Sequence, residues 1–215
     1  MRGSTRGYRA VHHSGMQKNI LRLGTECIIL WDDMKKIELI MDAHALDLAL
    51  TRIAHQILER HGDLPSLCIV GMQTRGVYLA RRLAAKIGAM ESVPLKTGIL
   101  DTTLYRDDYR IAFRQPEVRV TDIPFDINEK HVVLVDDVLF TGRTVRAALD
   151  ALMDHGRPRT IQLAVLIDRG HRELPIRADY LGKKITTSPK QEVALKVNEL
   201  DGEDSLWLME LEGGE

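Results

Sequence analysis

The run Val132-Val-Leu-Val-Asp-Asp-Val-Leu-Phe-Thr-Gly-Arg-Thr144 leaves few folds open. His131 to Val135 reads as a strand buried on both faces, the pattern of a parallel sheet covered by helices. Asp136 and Asp137 end that apolar stretch, and Gly142 allows a tight bend. A helix is expected from about Arg143 to His155, with Val145, Ala148, Leu149, Leu152 and Met153 on its core face. Gly156 and Pro158 stop it.

The rest of the chain repeats this alternation. Asp42 is a good N-cap, and Leu46, Ala49, Leu50, Ile53, Ala54, Ile57 and Leu58 recur at helical spacing. Thr51, Arg52, His55 and Glu59 fall on the opposite face. Gly62 and Pro65 end the helix. Leu67–Met72 reads as a buried strand, Gln73–Gly76 as a turn and Val77–Ala89 as a helix. Val93–Leu100 and Thr160–Ile167 are further strands, and short strands and turns continue to Leu211. The expected fold class is α/β with a mostly parallel central sheet flanked by helices.

Composition removes several classes. Lys and Arg total 30 against 31 Asp and Glu, a net charge of −1, so a globally basic nucleic-acid coat is excluded while a local patch is not. Cys27 and Cys68 are far apart, which supports neither a disulfide framework nor a structural zinc site. No apolar stretch approaches the roughly 20 residues of a membrane span. Met1–Leu23 lacks the apolar region of a secretory signal, so a cytoplasmic location is expected by elimination. Residues 1–33 show no clear period and read as a disordered or extraneous extension, with the folded domain over 34–215. Cys27–Trp31 is the one apolar run in that head.

The chemistry concentrates at the acidic strand end. Open α/β sheets bind ligands beyond the carboxyl ends of their strands. There the Thr141–Thr144 turn offers backbone N–H groups, two hydroxyls and a positive helix N-terminus, a cradle for phosphate. Two carboxylates beside it suit the hydroxyls of a ribose, and acids next to phosphate also hold Mg²⁺ through water. Acid pairs at strand ends also serve phospho-acceptor and haloacid-dehalogenase-like folds, where the Asp is a nucleophile and no Thr-Gly-x-Thr turn is needed. Together the features describe a ribose-phosphate ligand.

Residues 132–144 resemble the phosphoribosyl-pyrophosphate (PRPP) motif of type I phosphoribosyltransferases. Leu50-Thr-Arg-Ile-Ala-His55, Thr74-Arg-Gly76, Leu104-Tyr-Arg-Asp-Asp108, Asp122-Ile-Pro-Phe-Asp126 and Asp168-Arg-Gly-His-Arg-Glu-Leu-Pro-Ile-Arg-Ala-Asp-Tyr180 resemble the pyrimidine-operon attenuation regulators, the PyrR family. Phe140 stands where that family usually has Tyr. The resemblance covers about residues 34–211. It implies the type I phosphoribosyltransferase fold with a small hood, a uracil phosphoribosyltransferase using PRPP with Mg²⁺, and UMP-dependent binding of pyrimidine operon leader mRNA. Homo-oligomers, dimers or higher, are implied as well.

By the same resemblance, Asp136 and Asp137 hold the ribose hydroxyls. Val138, Leu139, Phe140, Thr141, Gly142, Arg143 and Thr144 form the 5′-phosphate loop. Thr74 and Arg75 face pyrophosphate, Arg169 is a further ligand candidate, and the backbone near Val193 faces the base. Spacing alone reads 101–124 as a solvated hairpin; the resemblance reads it as a flap carrying Arg106 onto pyrophosphate. Thr51, Arg52, His55, His171, Arg172, Arg177 and Lys183 are the implied RNA-binding residues, although their residue types alone read as solvated surface. A salvage enzyme for another base without RNA binding, and a regulator whose transferase site only senses nucleotide, are the competing readings.

Overall fold

The computed structural model describes residues 22–23, 26–27, 34–105 and 120–211. The Arg106 assignment and most of the flap lie outside the described residues. In the head, β1 (Arg22–Leu23) pairs antiparallel with β2 (Glu26–Cys27).

Five strands make the parallel core sheet: β4 (Leu67–Met72), β5 (Lys96–Leu100), β6 (His131–Leu139), β7 (Thr160–Asp168) and β8 (Tyr180–Lys184). Their order is β5-β4-β6-β7-β8. The chain therefore steps outward from β4 to β5, then crosses back to place β6 on the other side of β4. That reversal is a switch point, where a crevice opens at the carboxyl ends of the strands.

Helices cover both faces, which is why the middles of the central strands are almost wholly apolar. Ile69, Val133, Val135 and Ala164 pack with α1 (Ala43–Arg60) and α2 (Arg75–Glu91). Val70, Val132, Leu134 and Val165 pack on the other side with Val145, Ala148, Ala151 and Leu152 of α3 (Arg143–Met153). Asp42 caps α1 as expected, its Oδ1 accepting from the Ala45 N–H at 2.8 Å.

Several boundaries differ from expectation. The helix α2 starts at Arg75, two residues before Val77, and runs to Glu91. The strand expected from Val93 begins at Lys96. The third helix stops at Met153, short of His155. β6 extends through both aspartates to Leu139, because β7 keeps pairing with it as far as Leu139 opposite Asp168.

A second sheet of three antiparallel strands, in order β3-β10-β9, forms the hood: β3 (Met34–Met41), β9 (Gln191–Lys196) and β10 (Ser205–Leu211). No strand was expected over Met34–Met41. Its run Met-Lys-Lys-Ile-Glu-Leu-Ile-Met lacks a clean period, and Ile37 and Leu39 remain 44% and 43% exposed. Pairing with β10, some 165 residues away, makes it a strand. The short helix α4 (Asn198–Asp201) joins β9 to β10. Among the described residues, no helix is long and apolar enough to cross a membrane.

Candidate active site

Two loops flank the switch point, one after β4 and one after β6. The first enters α2 at Thr74 and Arg75. Gly71 and Gly76 let it approach closely. A Cβ at Gly76 would lie 2.5 Å from the Val135 carbonyl oxygen and 3.2 Å from the Asp136 Cα. The start of α2 thus presses on β6 at the acidic pair. The Gln73–Thr74 peptide is cis. Arg75 donates to both carboxylate oxygens of Asp201 at 3.1 and 3.3 Å.

The second loop carries the acids. Along β6 the side chains alternate between faces up to Val135, then the phase slips: Val138 packs on the α1–α2 side and Leu139 on the α3 side. The slip falls at the two aspartates. Asp136 Oδ1 accepts from the Asp137 N–H at 2.9 Å, and Asp137 Oδ1 accepts from the Val138 N–H at 2.8 Å. These local side-chain bonds compete with regular strand geometry. Asp136 is buried at 8% exposure, and Asp137 is half-buried.

Beyond them, Gly142 adopts φ +94° and caps α3, a conformation that favours glycine. Its carbonyl accepts the first helical bond from the Arg146 N–H at 2.9 Å. Asp136, Val138, Leu139, Phe140, Thr141, Gly142, Arg143, Thr144, Val145 and Glu173 surround a cavity of about 240 Å³. Glu173 was not anticipated; it accepts from Arg143 Nε at 2.6 Å and closes the outer rim. Only the fold brings it here, through the Glu173 and Leu174 N–H bonds to the Thr141 carbonyl at 3.0 and 3.2 Å.

Arg169 is in place but turned inward. Its side chain is 2% exposed, with Nε donating to Thr187 Oγ1 at 3.2 Å, Nη1 to Glu192 at 2.5 Å, and Nη2 to the Gln191 carbonyl. The guanidinium lies 4.1 Å from the centre of the Phe140 ring. A cation stacked on an aromatic face contributes about 0.5–2 kcal/mol, and a phenyl ring supplies that face without a hydroxyl. Val193 is buried in β9 opposite Leu208.

The hood is tied to the crevice by charge. Arg82 on α2 binds Glu199 at 2.6 Å and Asp204 at 2.7 Å. The Arg82 hydrogen bond holds the Glu199 carboxyl below its usual range. Burial opposes the Asp204 charge, but the bonds from Arg82 and the Asn198 N–H outweigh it, and that carboxyl too is lowered.

The remaining sequence candidates divide into two places. Arg52 on α1 donates to the Gly182 carbonyl of β8, which sets it beside the exposed Lys183; His55 is exposed on the same helix. Thr51 is half-buried, donating to the Asp47 carbonyl and accepting from Lys86 Nζ, each at 2.9 Å. His171 and Arg172 instead lie against Phe140, the ring of His171 at 5.7 Å from that of Phe140 and Arg172 donating to the Phe140 carbonyl, while Arg177 is exposed.

Known proteins resemble this chain. Residues 37–200 match the family model "Phosphoribosyl transferase domain". A "Bifunctional protein PyrR" from Deinococcus deserti is 56% identical over 173 residues, covering 80% of this chain and 94% of that protein. One from Caldicellulosiruptor bescii is 56% identical over 179 residues, 83% of this chain and 98% of its own length. The chain belongs to the PyrR family. A hypoxanthine-guanine phosphoribosyltransferase from Bacillus anthracis superposes with a TM-score of 0.61 at 15% identity, covering 82% of this chain and 99% of that one. A hypoxanthine phosphoribosyltransferase from Trypanosoma cruzi gives 0.63 at 16%, covering 82% and 98%. These two share the type I phosphoribosyltransferase fold with this chain.

Proposed function

We propose that the protein transfers the phosphoribosyl group of PRPP to uracil, giving UMP and pyrophosphate, and that with UMP bound it binds pyrimidine operon leader mRNA. Residues 34–215 carry both activities, and residues 1–33 are an extension. The observation that carries the reading is the single cavity in which Asp136, the Gly142 bend and the start of α3 meet.

Bond breaking at the ribose leaves positive charge on its anomeric carbon and negative charge on pyrophosphate. Catalysis is then a matter of positioning and electrostatics. The first-turn N–H groups of α3, with the Thr141 and Thr144 hydroxyls, hold the 5′-phosphate. Asp136 and Asp137 accept from the ribose hydroxyls, and their charge favours the oxocarbenium-like centre. Arg75 and Thr74 receive pyrophosphate, with Arg75 exchanging its Asp201 partner for the leaving group. Arg106 joins from the flap. Arg169 holds the Phe140 side of the loop, and the backbone near Val193 offers amide-type bonds to uracil. The oxygen-only donors of Asp136 and Asp137 fit a hard cation such as Mg²⁺. Held there with PRPP, such an ion would supply charge neutralisation to the pyrophosphate.

Changing Asp137 to Asn should remove most transfer of PRPP to uracil while leaving thermal unfolding unchanged; full activity in that variant counts against the site. Parallel assays with uracil, orotate and hypoxanthine separate this reading from salvage of another base. Filter binding of a pyrimidine leader RNA, with and without UMP, tests the regulator. Binding should strengthen with UMP and fall steeply with salt, because each phosphate contact releases counterions. No binding at low salt eliminates that half.

A further inference from the structure

The loop from Asp168 to Ile176 does more than carry basic side chains. We propose that Arg172 is a positioning residue of the phosphate cradle, and that it acts on the nucleotide site rather than as a contact to RNA. The proposal rests on the phosphoribosyl site described above.

All three nitrogens of the Arg172 guanidinium are already engaged. Nη1 donates to the carbonyls of Leu139 at 3.2 Å, Phe140, and Gly170 at 2.9 Å. Nε donates to the Ile176 carbonyl at 3.0 Å, and Nη2 pairs with Asp168 Oδ1 at 2.5 Å. Its side chain is 22% exposed. A guanidinium held by four carbonyls and a carboxylate has little left for an RNA phosphate. Drawing it out would strand several of those acceptors.

What the clasp achieves follows from peptide geometry. In a trans peptide the C=O and the N–H point in opposite directions. Arg172 holds the Phe140 carbonyl and, together with the Arg169 N–H at 3.1 Å, the Leu139 carbonyl, so the N–H directions of Thr141 and Phe140 are set as well. The Glu173 and Leu174 N–H groups hold the Thr141 carbonyl, which sets the Gly142 N–H. Three successive amides are thereby aligned with their carbonyls bound to the 168–176 loop. Aligned N–H groups of this kind form an anion-binding concavity. Their residues line the cavity assigned to the 5′-phosphate. Without Arg172 the Leu139 carbonyl keeps the Arg169 N–H at 3.1 Å, but the Phe140 carbonyl loses the guanidinium, so the Thr141 N–H is no longer fixed in direction and that carbonyl can turn toward the anion and repel it.

The test compares R172A and R172K with K183A. Lysine keeps the charge but lacks the planar fork. Both Arg172 variants should raise the KM for PRPP, and weaken UMP binding measured without RNA, by about tenfold, the worth of one charge-assisted hydrogen bond. The kcat at saturating PRPP should change much less. Their slope of log binding constant against log salt for RNA should match the wild type, whereas K183A should lose about 0.7 of that slope and keep its PRPP KM. An unchanged PRPP KM in R172K, or an RNA salt slope shallower by about 0.7, overturns the proposal. If R172A does not fold, R172K decides alone. If the wild type binds no RNA, the regulator reading fails, and the PRPP and UMP measurements still test the clasp.

Discussion

Gly76→Ala sets two effects of opposite sign against each other. Gly76 lies in the first turn of α2, and alanine in a helix is intrinsically better than glycine by up to about 1 kcal/mol. Propensity alone therefore predicts a more stable protein. The new Cβ, however, would sit 2.5 Å from the Val135 carbonyl oxygen. That neighbour is backbone in the middle of the parallel sheet and cannot swing aside. Either α2 or β6 must move by roughly half an ångström or more, and overpacking of this kind costs about 1–3 kcal/mol. The clash should win, leaving a net loss of about 1–2 kcal/mol. The displaced elements carry Thr74, Arg75, Asp136 and Asp137. A misplacement of 1 Å costs on the order of 100-fold in rate, so kcat/KM should fall by about tenfold or more. Denaturant unfolding and steady-state kinetics with PRPP read the two effects separately. Gly62→Ala is the control, since nothing lies within 4 Å of its added Cβ. A G76A protein as stable and active as the wild type would refute the reasoning.

Two further outcomes follow from the same structure. Gly142→Ala must hold φ near +94° with Leu174 and Ile176 each 3.4 Å from the new Cβ; a loss of about 1–2 kcal/mol and a raised KM for PRPP are expected, by unfolding and kinetics. Arg82→Ala removes the shared partner of Glu199 and Asp204. Both carboxyls are lowered in the fold, so they stabilise it above the ordinary carboxylate range, and that contribution is lost as pH falls through their folded values. The wild-type Tm should therefore drop more steeply on acidification toward pH 3 than the Tm of R82A; parallel slopes would contradict the pairing.

The elements most legible in the sequence were those whose evidence is local. Leu67–Met72 is a strand with the expected ends, because an unbroken apolar run between turn signals has few alternatives. The α1 helix declared itself through Asp42 and its apolar face. The Gly142 bend followed from residue type, since glycine accepts positive φ without penalty. Met34–Met41 was illegible because its partner lies at the other end of the chain. The site divides in the same way. Asp136, Thr141 and Thr144 were readable from one segment, whereas the contribution of Glu173 was not. Arg169 and Arg172 were visible as basic residues, but their orientation was hidden. Whether a guanidinium faces a ligand, an RNA or its own backbone depends on which carbonyls the fold delivers to it.

By itself the sequence determined the alternation of strands and helices, the acidic strand end and the glycine bend after it, because each is set by neighbours within a few residues. Tertiary structure alone decided the strand order β5-β4-β6-β7-β8 and hence the crevice between β4 and β6. It also decided the hood and the clasp of Arg172 on the loop it supports. Those features depend on contacts between segments that only packing brings together.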